Sequence, residues 1–389
     1  MKSSNAKRDV HRSDYRRPFV DFYQRNQISP VHQDISNLNQ HFERRTALWR
    51  HIGIPPSLLS GRSVVEFGPG SGFNALFTAA NAPHRYLLVD GNAFGLQETE
   101  ALLSAGYPDS TCFEFVHSLV EKFETEERFD LVICEGVIPF QLDPSHFTRM
   151  VARFVKPGGL LIITCIDSVS FFSEAIRRLF RDVLIAPDAP VDQQLDTLRP
   201  IFEPHLVTLR GRSRPVDDWL LDNIIQPMLG TTFSIPDAVR ALADDFDVYG
   251  SSPHFFTDWR WYKDIHGRDR QYNEVAVANY ETQLLNLMDY RFVFPPQAPE
   301  LGRRLGSLCD RVFAAMKTFE GGDAAQMSAA IDGISEVALS LQTIAPPTAA
   351  SLLEAVTFLK NGGDPGALSG DGFISMFGRG QSYLSFIRR

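Results

Sequence analysis

Apolar positions fall in two rhythms along this chain, and each change of rhythm marks a new part. Between about 60 and 165, short continuous apolar runs alternate with stretches of helical spacing. The runs are Val64–Glu66, Tyr86–Asp90, Phe113–Val116, Phe129–Cys134 and Leu160–Cys165. Runs this short and this apolar read as strands buried on both faces. Strands separated by helices imply a parallel sheet with helices on both sides. Upstream, Phe19 to His51 has a helical pattern, with Leu38, Phe42, Ala47 and Leu48 on one apolar face and Ile35 before them. Gly53-Ile54-Pro55-Pro56 then breaks the chain.

After the fifth run the spacing turns helical again. Ser170 to Phe180 carries Phe172, Ala175, Ile176 and Leu179 on one side, and Val216, Trp219, Leu220 and Ile224 form a second stripe. Ser234 followed by Pro236 signals another helix start. Phe246 to Tyr249 is the next strand. Gly250 to Lys263 is dense in aromatics, and strand alternation would set Trp259 and Trp261 on one face. Beyond 270 the candidates are helices at Glu274–Met288, Leu301–Phe319, Ala324–Leu341 and Thr348–Leu359, with a break at Gly362–Gly366. Residues 1–15 read as a disordered tail.

The candidate chemistry lies at the end of the first strand. Residues 64–75 read Val-Val-Glu-Phe-Gly-Pro-Gly-Ser-Gly-Phe-Asn-Ala. Glycines at 68, 70 and 72 let a ligand approach bare backbone, because glycine has no Cβ and tolerates positive φ. The helix start that follows offers free N–H groups to an anionic ligand group. A dinucleotide fingerprint would need its third glycine at position 73, which is Phe73, and a phosphate loop would need a lysine that is absent. What remains is Glu66-x-Gly68-x-Gly70-x-Gly72.

That pattern resembles motif I of the class I S-adenosylmethionine (SAM) methyltransferases. The likeness continues in order: an acid, Asp90, ends the second strand; Ser118 and Leu119 follow the third; Glu135 ends the fourth; and Lys156-Pro157-Gly158-Gly159 precedes the fifth. It covers roughly 60–185. The resemblance implies a seven-stranded, mostly parallel, doubly wound α/β sheet. It implies a helical N-terminal cap, a helical insertion after strand five at about 185–235, and a hairpin of strands six and seven near Gly250–Lys263. Three regions follow: a tail and cap over 1–55, a SAM-binding core over 56–265, and a helical C-terminal region over 266–389.

The resemblance also implies roles. Glu66, Phe67, Gly68, Pro69, Gly70, Gly72 and Phe73 would line the methionine part of SAM, with Glu66 facing its amine. Asp90 would hold the ribose hydroxyls, with Gly91 and Asn92 near the adenine and Ser118 and Leu119 at its edge. Glu135 would face both cofactor and acceptor. It is the candidate catalytic residue, with three roles open: a base, a holder for a cationic acceptor, or a loop support. S-adenosyl-L-homocysteine would be the by-product. Methyl transfer from a sulfonium needs alignment and exclusion of water more than acid–base chemistry. His32, Gln33, His254, Trp259 and Arg379 are the candidate acceptor contacts. Each has a plainer alternative: a surface cap for His32 and Gln33, buried hairpin aromatics for the 250–263 stretch, a turn for Arg379. Glu135-Gly136-Val137-Ile138-Pro139 lacks the Asn/Asp-Pro-Pro-Tyr/Phe motif of many amino-group methyltransferases.

Composition narrows the acceptor. The net charge is −9 and no basic stripe appears, so nucleic acid is not expected as a partner. Lys7, Arg8, Arg12, Arg16 and Arg17 read as a solvated tail. No apolar run reaches the ~18–20 residues of a membrane span, and no leader pattern opens the sequence. Four cysteines form neither a disulfide framework nor a zinc pattern. A cytoplasmic enzyme acting on a small molecule, without a metal, is the expectation. A non-catalytic SAM-binding scaffold is the alternative, and a homodimer through the helical extensions is left open.

Overall fold

In the computed structural model, residues 20–23, 33–107, 112–186, 189–228, 230–319 and 323–389 are described. The strands are β1 (Ser63–Phe67), β2 (Arg85–Asp90), β3 (Phe113–His117), β4 (Phe129–Cys134), β5 (Val155–Cys165), β6 (Phe246–Ser252) and β7 (Ser382–Arg388). They form one sheet in the order β3-β2-β1-β4-β5-β7-β6. The first five are parallel, and β7 runs antiparallel to both β5 and β6. Strand order departs in opposite directions from β1 and β4, which makes their carboxyl ends the switch point where open α/β sheets bind ligands.

The chain divides into two compact units, each assembled from separated stretches. The first comprises residues 1–165, 227–277 and 382–389; the second comprises 166–226 and 278–381. The sequence reading instead ran its three regions end to end. Two stretches make the difference: 166–226, read as part of the core, groups with the C-terminal helices, and the last residues join the first unit as β7. The expected hairpin after Gly250 does not form, and the last strand comes from the final residues of the chain. Leu384 and Phe386 are fully buried beside β5. The alternation that announces this strand is present in Leu384, Phe386 and their neighbours. The segment after β6 is instead an irregular loop with two short 3-10 turns, in which Trp259 is 93% exposed.

In the first unit the helices are α1 (Leu38–His51), α2 (Phe73–Ala80), α3 (Ala93–Gly106), α4 (Pro144–Ala152) and α8 (Ile235–Leu242). Alternate strand residues face opposite ways. Val64, Tyr86, Leu88, Ile133 and Ile162 pack with Trp49, Ile52 and Phe77 on one side of the sheet. Phe67, Phe123 and Phe154 stack on the other. Ser234 and Asp237 form a reciprocal capping box at the start of α8, as Ser234-x-x-Asp237 allows. Cys134 and Cys165 are buried and form no disulfide, and burial pushes the Cys134 thiol up.

One expectation about α1 is corrected. Its buried residues are His41, Arg45 and Trp49, whereas Ala47 is exposed and Leu38 is 41% exposed. Phe42 and Leu48 are only partly buried. His41 and Arg45 face inward because they meet polar partners, which apolar periodicity cannot register, while Trp49 joins the apolar core.

The second unit is helical. It holds α5 (Phe172–Leu184), α6 (Val191–Thr208), α7 (Val216–Leu220, continuing as a π-helix through Ile225), α10 (Leu285–Met288), α11 (Pro299–Phe319), α12 (Ala324–Leu341) and α13 (Pro346–Lys360). Helix α9 (Tyr272–Gln283) runs from the first unit into the second. Residues 172–180 of α5 are buried without exception. Phe180 stacks on Phe358 at 4.0 Å. The guanidinium of Arg177 is enclosed there, donating to the Met376 carbonyl at 2.8 Å and lying over the Phe377 ring. No helix among the described residues is long and apolar enough to cross a membrane.

Candidate functional site

β1 ends at Phe67, and the next turns need left-handed backbone. Gly68, Gly70 and Gly72 have φ of 72°, 59° and 82°. The Gly68 N–H donates to the Val89 carbonyl at 2.8 Å, tying the turn to β2. A Cβ at Gly68 would stand 2.4 Å from Val137 Cγ2, and one at Gly72 would stand 2.9 Å from Thr99. Thr99 also donates its hydroxyl to the Gly70 carbonyl at 2.7 Å. Gly68 and Gly72 are therefore required twice, by φ and by space, and Gly70 by its φ. Phe73 opens α2 directly after Gly72.

Asp90 closes the second side. Its Oδ2 accepts from the Gly70 N–H at 3.2 Å, and Oδ1 accepts from the Asn92 N–H at 2.7 Å. A carboxylate has about four acceptor positions, so it keeps capacity for hydroxyl donors. Burial pushes its pKa to about 6, against the pull of those N–H groups. The Asn92 side chain caps α3 by accepting from Phe94 N–H. The Ser118 N–H donates to the Asp90 carbonyl at 3.0 Å. Leu119 lies where a Cβ on Gly91 would point, 2.7 Å away. The loop, the acid and the β3 exit therefore meet at one end of the sheet.

Glu66 behaves differently from its expected part. It is 4% exposed, and it accepts a short hydrogen bond from the Tyr86 hydroxyl of β2. Burial, and then the Glu135 charge, push its pKa to about 7 from an ordinary 4.5. The folded state thus holds this proton more tightly than the unfolded chain. Stability falls as pH rises from about 4.5 to about 7, and the loss is complete above that. Glu66→Gln keeps an acceptor for Tyr86 without a charge. At pH 8 it should unfold with about 1–3 kcal/mol more stability than wild type, and at pH 4 with no advantage. Equal melting at both pH values would show that Glu66 carries no such burden.

Glu135 is held by donors from two helices. Arg45 of α1 forks onto it, Nη1 to Oε2 at 2.9 Å and Nη2 to Oε1 at 2.8 Å. Asn74 adds a bond to Oε2 at 3.2 Å, and Gln33 donates to Asn74 at 3.3 Å. The two paired side chains are 7% and 8% exposed. A carboxylate bound in this way positions α1 and α2. His41, one turn earlier on α1, donates to the Phe73 carbonyl at 3.0 Å. Arg45, His41, Asn74, Thr99 and Val137 were all missed in the sequence. Only the i, i+4, i+8 spacing of His41, Arg45 and Trp49 offered a signal.

His32 lies outside the described residues, as does the 1–15 tail. Gln33 joins the Asn74–Glu135 chain. His254 is exposed and donates to the His51 carbonyl at 3.0 Å. Trp259 stands in the irregular loop. In the second unit, Arg379 braces a turn by donating to the Asn286 carbonyl at 2.7 Å and the Phe292 carbonyl at 3.3 Å. Asp167 accepts from the Val169 and Ser170 N–H groups just ahead of α5.

The sheet order, the switch point and the glycine turn facing a strand-end acid define the class I methyltransferase fold. Residues 65–163, about a quarter of the chain, match the family described as a methyltransferase domain. The chain is 30% identical over 121 residues to the probable protein arginine N-methyltransferase 6 of Arabidopsis thaliana, covering 30% of this chain and 26% of that protein. It is 29% identical over 143 residues to the ubiquinone biosynthesis O-methyltransferase of Rhodopseudomonas palustris, covering 36% and 54%. Among solved structures, N-methyltransferase NodS of Bradyrhizobium japonicum, in complex with S-adenosyl-L-homocysteine, aligns with a TM-score of 0.31 at 19% identity, over 38% and 74% of the two chains. The chain thus spans about a quarter of the first of these relatives and about half of the second.

Proposed function

We propose that this protein transfers a methyl group from SAM to a small-molecule acceptor at oxygen, nitrogen or carbon. The observation that carries the reading is the left-handed glycine turn, held by backbone bonds against the buried Asp90 carboxylate at the switch point. Those residues fit the cofactor chemically. The turn presents backbone without side chains at Gly68, Gly70 and Gly72, flanked by Phe67, Pro69 and Phe73, where the methionine part would lie. Asp90 retains lone pairs for a ribose diol and is ionised above about pH 6. Gly91, Asn92, Ser118 and Leu119 would border the adenine. When bound, SAM supplies an electrophilic methyl group on a cationic sulfur.

The chain's own part is alignment and exclusion of water. The glycine turn and Asp90 are cross-braced by Thr99 and the Asn92 N–H. Arg45 and Asn74 hold the end of β4 still through Glu135. The Tyr86 hydroxyl donates to Glu66 behind the turn. Against a polymer acceptor stands the charge: a chain at −9 without a basic stripe is poorly matched to nucleic acid. Buried reduced thiols fit a reducing compartment, the cytoplasm.

Asp90→Ala should weaken binding of S-adenosyl-L-homocysteine by about 1–3 kcal/mol, the scale of lost bonds to a charged group. Titration calorimetry reads this directly. Affinity equal to wild type would remove Asp90 from the site. The acceptor is best found by incubating metabolite extracts with SAM carrying a labelled methyl group; a label that appears in no small molecule would defeat the acceptor reading.

A further inference from the structure

Glu135 closes β4 at the switch point, where the proposed acceptor and cofactor would meet. A lone carboxylate there would recruit a cation. This one is already filled. Arg45 takes both oxygens in the parallel two-bond geometry that a guanidine acceptor would itself adopt, and Asn74 takes a third position. Three of about four acceptor sites are thus spent on the chain's own donors. The pair is buried, so a competing cation would have to displace a guanidinium that is held in place by α1. His41 and Trp49 anchor the same face of that helix, His41 through the Phe73 carbonyl and Trp49 against the Phe77 ring.

We infer that Arg45 is a specificity-determining residue. By occupying Glu135 from within, it closes the end of β4 to amine and guanidine acceptors and leaves it to uncharged ones, such as a hydroxyl. This rests on the methyl-transfer reading. Arg45 acts through Glu135 and is a positioning residue.

The test uses the full chain, with agmatine and methylguanidine as probes. Wild type with S-adenosyl-L-homocysteine should bind neither saturably, and labelled SAM should leave agmatine unlabelled. Saturable agmatine binding or labelled agmatine overturns the inference. Arg45→Ala should bind methylguanidine about tenfold tighter than wild type or more, and should regain melting temperature when it is added. Arg45→Ala/Glu135→Gln should do neither. No gain in the single variant overturns the inference. If Arg45→Ala does not fold, Arg45→Lys keeps the charge and should still refuse agmatine; agmatine binding there counts against the inference. The melting-temperature arm needs no cofactor. A chain that ignores S-adenosyl-L-homocysteine while Arg45→Ala responds to methylguanidine therefore defeats the methyl-transfer reading alone.

Discussion

Gly68→Ala should abolish cofactor binding while leaving a folded but weakened chain. Two costs act together. The residue sits at φ 72°, where a side chain costs about 1–2 kcal/mol. Its Cβ would also stand 2.4 Å from Val137 Cγ2, and such overpacking costs about 1–3 kcal/mol. Relief requires the turn or the loop after β4 to move, and either movement breaks the Gly68 bond to Val89 that sets the backbone facing Asp90. Affinity for S-adenosyl-L-homocysteine should fall about a hundredfold or more by calorimetry. Val137→Ala in the same chain should restore part of the stability, since it removes the clashing methyl groups, but not the φ cost. Wild-type affinity in Gly68→Ala would show that the turn does not form the site.

The second large effect concerns the buried pair. Glu135→Leu strands the Arg45 guanidinium in the interior, and breaking such a pair from one side costs about 3–5 kcal/mol. Arg45→Met strands the carboxylate at similar cost. The double variant Arg45→Met/Glu135→Leu removes both charges and should recover more than half of that loss, because two apolar side chains can replace a buried pair. Chemical denaturation of the four proteins reads the coupling. Additive losses would show that the two side chains do not depend on one another. Burial works against the Arg45 charge and Glu135 more than offsets it, so its guanidinium stays charged across any working pH.

The parts of the site that were legible in advance are those in which one residue type is demanded by one local geometry. Gly68, Gly70 and Gly72 are readable because few other residues accept the left-handed region. Asp90 is readable because it ends an apolar run. β1, β2, β4 and the second half of β5 are readable because continuous burial leaves a continuous apolar signature, whereas the edge strand β3 is only partly buried and shows as a short apolar run. Ala324–Leu341 is a helix with the bounds that its spacing predicts. The turn expected at Lys156–Gly159 is instead absorbed into β5, with Gly158 at φ 74°.

What was not legible depends on partners distant in sequence. Arg45 and Glu135 are 90 positions apart, and nothing near either one names the other. Tyr86 looked like one more apolar strand residue until its hydroxyl met Glu66. Glu135 sits at a strand end in either reading, and only its neighbours decide between base and brace. β7 pairs with β5 across more than two hundred residues, so its local alternation had no visible partner.

By itself, then, the order of residues determined the first six strands, the glycine turn, the acid opposite it and the helices beyond 270, since those follow from backbone sterics and burial within a few residues. Tertiary structure alone decided which strand completes the sheet, which face of α1 turns inward and that Glu135 is taken by Arg45. The reason is physical: buried charge is tolerated only where an opposite charge arrives from elsewhere in the fold, and no local pattern records that arrival.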